Sequence, residues 1–318
     1  METELQNLIF VWISVIAALT YCRYISVLVP VGLKRLFFFL PVILLFLLLP
    51  LRLTSLTLAG LTSFFVAWLS NFKLLLLAYG KGPLVPPPSS APLSLSCSSS
   101  PLHRFRSRST LPQKAKLPSM ARSDYVHEKV MMLAYLVHVY IVLEVDLAVV
   151  GTAAARLIGV AVEPQFNEPY LATSLQDFWG RRWNLMVTSI LRPSVYEPIR
   201  SASGHLVGRQ WARLPAVLTT FAVSALMHEL IFYYIGRKEP TWVVMWFFLL
   251  HGVAVAVEIT VKKALRGTRW QLPAEVSRLL TMGFVVATGF WLFLPSLLRG
   301  EIAPVLVPCY EKPPKNLN

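Results

Sequence analysis

The chain has 318 residues, of which 55% are hydrophobic and only 14% charged, whereas a soluble domain carries about 25% charged residues. Mean hydropathy is +0.58 and the apolar residues are blocked into long runs, which argues against two soluble domains and for one membrane-embedded helical bundle. The net charge of +14, from 30 Lys and Arg against 16 Asp and Glu, reads as basic loops facing anionic headgroups or an anionic ligand. Nucleic acid is excluded as a partner, because the cations lie between apolar runs and not on a soluble face. Cys22, Cys97 and Cys309 are scattered and odd in number, so neither a disulfide framework nor a metal spacing follows.

In chain order, the first apolar run covers residues 8–29 and is long enough to cross a hydrocarbon core of about 30 Å. Glu2 and Glu4 precede it where a signal peptide carries basic residues, so it reads as a retained span. Residues 36–51 form a short Leu/Phe/Ile run between Pro30 and Pro50, and residues 56–79 form a less apolar one that contains Asn71 and Lys73. Residues 80–122 are rich in Ser, Pro, Arg and Lys without helical periodicity, which predicts a disordered loop. Hydrophobicity resumes over 130–158, gives way to a polar, aromatic segment over 163–213, and returns over 214–235, 242–261 and 276–298. The expected fold is all-α, a polytopic transmembrane bundle of about seven spans. Residues 1–79 make the N-terminal spans, 80–122 the loop, 123–300 the core and 301–318 a Pro-rich tail. Basic residues recur in successive loops on both expected sides, so the positive-inside rule leaves the orientation open. Nothing in the pattern fixes the oligomeric state.

The informative residues are the polar ones inside apolar runs. A mid-helix acid costs roughly 2.5–3.5 kcal/mol, so Glu144 and Asp146 together roughly cancel the apolar gain of the 130–158 run. They are expected to pack inside the bundle as structural acids. His228 lies mid-run in Phe221–Tyr234, next to Glu229 and one turn after Ser224. An imidazole titrates near neutrality and can take a proton from a hydroxyl and return it to a leaving group. In a soluble core a merely hydrogen-bonded histidine would be the better reading; within a membrane span, function is the default. His251 is the rival. Glu258 follows seven residues later on the same helix face, which suits a structural His–Glu contact and ranks His251 second.

The segment before the histidine reads Gln176-Asp-Phe-Trp-Gly-Arg-Arg-Trp-Asn184. A helix from about Ser174 would place Asp177, Arg181 and Asn184 on one face, with Trp179 and Trp183 on a neighbouring one. An interfacial anchor explains aromatics with cations. The density of polar groups exceeds that need. Arg181 and Arg182 can bind phosphates, and Asn184 can orient a hydroxyl or donate to an oxyanion.

With these residues, and with Leu226-Met-His228-Glu, Glu163-Pro-Gln-Phe-Asn-Glu-Pro-Tyr170 and Ile190-Leu-Arg-Pro-Ser-Val-Tyr196, the chain resembles the plant wax synthases. These are long-chain-alcohol O-fatty-acyltransferases of the membrane-bound O-acyltransferase superfamily. The likeness runs through Tyr79-Gly-Lys-Gly-Pro83 and resumes from about Val130, whereas residues 84–120 depart from the moderately apolar stretch usual there. The resemblance implies a membrane-embedded catalytic histidine, here His228, and an upstream asparagine, here Asn184. It implies transfer of a fatty acyl group from acyl-CoA to a long-chain fatty alcohol in the endoplasmic reticulum membrane. The thioester already carries the activation, so acyl-CoA is a co-substrate and no cofactor is expected. Asp177, Trp179, Arg181, Arg182, Trp183 and Glu229 are the expected substrate-binding residues, the arginines for the CoA phosphates. Glu229 either tunes His228 or faces another helix. Acylation of a diacylglycerol or sterol hydroxyl uses the same chemistry and stays open as an alternative. A transporter with Glu144, Asp146, His228 and His251 as a proton path is the alternative of another class, but no matching Gly/Pro-broken helices appear in the two halves.

Overall fold

A computed structural model describes residues 2–82, 165–265 and 272–301. Most of the Pro/Ser/Arg-rich segment, the run at 130–158 with Glu144 and Asp146, and the tail after 301 lie outside the described residues. Six described helices are long and apolar enough to cross a bilayer. They are α1 (Thr3–Leu28), α2 (Leu33–Arg52), α3 (Leu56–Ala78), α4 (Arg213–Gly236), α5 (Val243–Ala264) and α6 (Ala274–Leu297). These coincide with six of the seven expected spans, and the seventh is the run at 130–158.

Apolar side chains cover the outside of this bundle. On α1, Ile9, Trp12, Ile13 and Ile16 are exposed, as are Trp246, Val253 and Val257 on α5. Such patches suit contact with lipid tails. Helix α3 sits deepest, with 61% of its most apolar window buried, against 22% for α1 and 11% for α6. Its polar residues serve that packing: Asn71 Nδ2 donates to Ile43 O of α2 and to Ala67 O.

Polar ties fix both ends. At one end Arg35 is buried, and its guanidinium donates to Ser26 O, Val29 O and Leu77 O, joining α1, α2 and α3. At the other end the Glu4 carboxylate accepts from Thr54 N, Ser55 N and Thr54 Oγ1. The C-terminal end of α4 joins this second end, where Tyr234 OH donates to Leu47 O and Arg237 Nη2 to Pro50 O and Leu53 O. Helices α4 and α5 then pair closely. A Cβ at Gly252 would meet Phe221 Cβ at 2.9 Å, so only glycine permits the approach.

The segment between α3 and α4 is broken where a continuous helix is expected. Residues Leu175–Asp177 are α-helical, Phe178–Arg182 widen into a π-turn, and Trp183 is extended. Asn184 adopts a left-handed conformation (φ 43°) and starts a new helix, Leu185–Leu191. Asparagine tolerates that region better than most residues. Asp177, Arg181 and Asn184 therefore do not share one helix face. Irregular backbone at this depth requires protein cover, and α3, α4 and α5 provide it through Trp68, Met227 and Phe248.

Candidate active site

His228 lies eight residues before Gly236 in α4 and His251 eight after Val243 in α5, so both stand about 12 Å along their helices from the same end. Nδ1 of His228 is 2.7 Å from Ser224 O. A carbonyl oxygen only accepts, so Nδ1 carries the proton and Nε2 keeps the lone pair. Nε2 makes no hydrogen bond to any described residue and is not sealed off by its neighbours. The ring is held between aromatic surfaces. Phe248 lies across it with centroids 4.2 Å apart, Trp68 meets it edge-on at 5.1 Å, and Phe293 at 6.0 Å. The arrangement is a fixed neutral imidazole with one basic nitrogen that no described residue engages.

π-helical stretches converge on this pocket. Trp68 belongs to the wide turns of Ser63–Ser70, Trp179 to Phe178–Arg182, Val195 to Arg192–Tyr196 and Phe293 to Gly289–Phe293. Such stretches shift side chains out of the ordinary helical register and recur at functional sites. The buried indole N–H of Trp68 has no acceptor among the described residues.

His251 differs in both nitrogens. Trp179 Nε1 donates to Nδ1 at 2.9 Å, and Nε2 is 2.8 Å from Thr288 Oγ1. Because an indole N–H only donates, Nδ1 accepts and Nε2 carries the proton. Thr288 Oγ1 passes its own hydrogen to Phe284 O at 2.7 Å. The expected contact with Glu258 is not made. Glu258 accepts from Leu175 N at 2.8 Å and pairs with Lys262, because the start of the broken segment offers helical N–H groups without partners. His251 thus joins the broken segment, α5 and α6.

The remaining motif residues divide by partner. Asp177 and Arg182 form an ion pair at 2.7 Å, and Arg182 Nη1 donates to Asn167 O and Glu168 O, so this guanidinium is occupied by the protein. Arg181 is exposed, and no ion pair engages it among the described residues. Trp179 packs against Phe221, Phe247 and Phe248, and Trp183 stacks on Phe178 at 5.4 Å. Asn184 caps its helix, Oδ1 accepting from Val187 N at 3.2 Å, which leaves its amide N–H groups as donors. No contact joins Asn184 to His228 among the described residues. Their helices do meet, through Val187, Leu191 and Met227. Glu229 is buried and accepts from Met245 N at 3.0 Å, capping the first turn of α5. Its carboxylate thus faces another helix. Phe248, Phe293 and Trp68 were not singled out from sequence, because an aromatic residue inside an apolar run carries no local signature.

The profile of the Membrane bound O-acyl transferase family matches residues 162–250, the part that holds Asn184 and His228. The chain is 45% identical to acyl-CoA–sterol O-acyltransferase 1 of Arabidopsis thaliana, over 92% of this chain and 90% of that protein. It is 45% identical to the long-chain-alcohol O-fatty-acyltransferase of Simmondsia chinensis, over 94% of this chain and 91% of that protein. A probable long-chain-alcohol O-fatty-acyltransferase 8 of Arabidopsis thaliana is 42% identical over 95% and 93%. The chain belongs to the plant wax synthase family of membrane-bound O-acyltransferases. As a member of that family it is a multi-pass membrane enzyme. Its unoccupied imidazole nitrogen lies inside the matched region, and His251 lies just beyond it.

Proposed function

We propose that this enzyme transfers a fatty acyl group from acyl-CoA to a long-chain fatty alcohol, giving a wax ester, in the endoplasmic reticulum membrane. The observation that carries the reading is the state of His228, with Nδ1 anchored on Ser224 O and Nε2 unengaged inside an aromatic wall. In the reaction Nε2 takes the hydroxyl proton as the alcohol oxygen attacks the thioester carbonyl. The tetrahedral adduct expels the CoA thiolate, which receives that proton from the imidazolium, leaving ester and free thiol. The amide of Asn184 donates to the alcohol or to the developing oxyanion, and Arg181 meets the CoA phosphates. The proposal needs no cofactor beyond acyl-CoA as co-substrate. Both substrates carry alkyl chains, consistent with a site reached through the bilayer.

A sterol hydroxyl is the second reading for the acceptor, because a relative of equal identity is named for sterol acylation. Microsomes from cells without their own ester-forming acyltransferases test both. With labelled acyl-CoA, wax ester is expected from added fatty alcohol and little ester from added sterol. The opposite ratio would move the acceptor to sterol, and transfer to neither would defeat the reading.

A further inference from the structure

From sequence alone the basic loops fall on both sides of the membrane; among the described residues most of the loop cations gather at one end. Gly32 N donates to Ala78 O, so the α1–α2 turn and the end of α3 share an end, which holds Lys34 and Lys81. Helix α4 finishes at the opposite end, tied there by Tyr234 and Arg237, so α4 starts at the same end at which α3 stops. That start carries Arg213. Helix α5 returns to it, with Lys263 Nζ 3.1 Å from Gln210 Oε1 and 3.7 Å over the Trp211 ring, beside Lys262. Helix α6 leaves from it, where Ser277 Oγ donates to Thr173 O next to Arg278. Described acids there include Glu258, which also caps the broken segment, and Glu275, paired with Arg278. At the other end, among residues whose side chains are described, stand the cations Arg52, Arg237 and Lys238 with the acids Glu4 and Glu239.

We infer that the basic end is the cytosolic face of the enzyme, seated on anionic headgroups, and that the Glu4–Arg237 end faces the lumen. Lys and Arg near a cytosolic leaflet are attracted by its negative surface potential, and an excess of such residues orients membrane helices. Six named cations at one end, against three at the other, give a consistent bias. Orientation also bears on access. The broken segment starts at the basic end, at Thr173, and reaches the level of His251 at Trp179. On the acyltransferase reading, this gives water-soluble CoA a path from the cytosol towards His228.

The test reads sidedness and needs no catalysis, so its failure is distinct from failure of the proposed reaction. A glycosylation-acceptor loop is placed between Lys238 and Glu239 in one variant, between Gly208 and Arg209 in a second, and ahead of Glu2 in a third. In sealed microsomes the first and third are expected to gain a glycan, which is added only in the lumen, and to resist protease. The second is expected to stay unmodified and to be cut. The opposite pattern, or one sidedness for all three loops, overturns the assignment. The loop ahead of Glu2 perturbs no turn and decides the matter if an internal loop prevents folding.

Discussion

The walls around His228 and His251 share material: Trp179 packs on Phe247, Phe248 and His251, Phe248 lies across His228, and Phe293 touches His228, Phe247 and Phe248. The rings stand at one depth on neighbouring antiparallel helices, yet their nitrogens are treated differently. Around His251 every polar atom has a partner, from the Trp179 indole through Thr288 to Phe284 O. Around His228 only Nδ1 is engaged. A fully bonded buried network rigidifies a core, whereas an imidazole with a bare basic nitrogen is competent to accept a proton. Depth, burial and aromatic company do not separate a connector from a base. The hydrogen-bond inventory does.

The largest expected effect is on His228. His228→Ala is expected to lower acyl transfer by about 10²–10⁴-fold, the usual weight of a general base, with protein level and membrane insertion unchanged. The check is initial rate per mole of inserted protein in microsomes; retention of more than about a tenth of the activity would break the contrast. His251→Ala is expected to act on stability first. It strands the Trp179 N–H in a buried position, which costs about 1–3 kcal/mol, and it leaves a cavity. The purified variant should melt at lower temperature in detergent while its folded fraction keeps a larger share of the rate than His228→Ala does. A His251→Ala protein of native melting temperature and no activity would reverse the two assignments. The relay can be sharpened by a double-mutant cycle. Thr288→Val should destabilise less in the His251→Ala background than in the native one, by about 0.5–3 kcal/mol for groups in one network.

Much of this was legible in the sequence. A run of apolar residues of membrane length has one outcome, so six spans fall where hydropathy puts them, and His228 stands out because its run holds no charged side chain except Glu229. The motif was visible but its shape was not. Whether residues 174–184 continue as one helix depends on Glu258, more than 80 positions away, which meets its N-terminus, and on the turn at Asn184. Periodicity cannot see either. The Glu258 partner was misassigned for the same reason. A seven-residue spacing shows only that two residues share a face, while the unsatisfied N–H groups at Leu175 and Gln176 attract a carboxylate wherever it comes from. Orientation stayed open for a topological reason, since counting spans in order puts α3's end and α4's start on opposite sides.

A smaller effect is expected at Glu229. The amide of Glu229→Gln can still accept from Met245 N, so this variant should stay within about 1 kcal/mol of native stability, while Glu229→Ala loses the cap and about 0.5–2 kcal/mol. If Glu229→Gln lowers the rate as strongly as His228→Ala does, its charge acts on His228 and the capping role is insufficient.

The smallest effect separates two adjacent arginines. The guanidinium of Arg182 is held by Asp177, Asn167 O and Glu168 O, so Arg182→Ala leaves Asp177 without its 2.7 Å partner in a half-buried place. Its cost should therefore fall on stability, with the KM values for both substrates changed together or not at all. Arg181 is exposed and lies beside that pair. An exposed cation contributes little to folding, but it attracts a phosphate over roughly a Debye length, about 8 Å at physiological salt. Arg181→Ala is expected to raise KM for acyl-CoA about two- to fivefold, or roughly 0.4–1 kcal/mol, without changing KM for the alcohol or the melting temperature. Raising the salt concentration should shrink the difference between native protein and Arg181→Ala, because screening removes the same attraction from the native protein. An equal rise in both KM values would show that Arg181 supports the fold as Arg182 does, and the division between the two neighbours would fail.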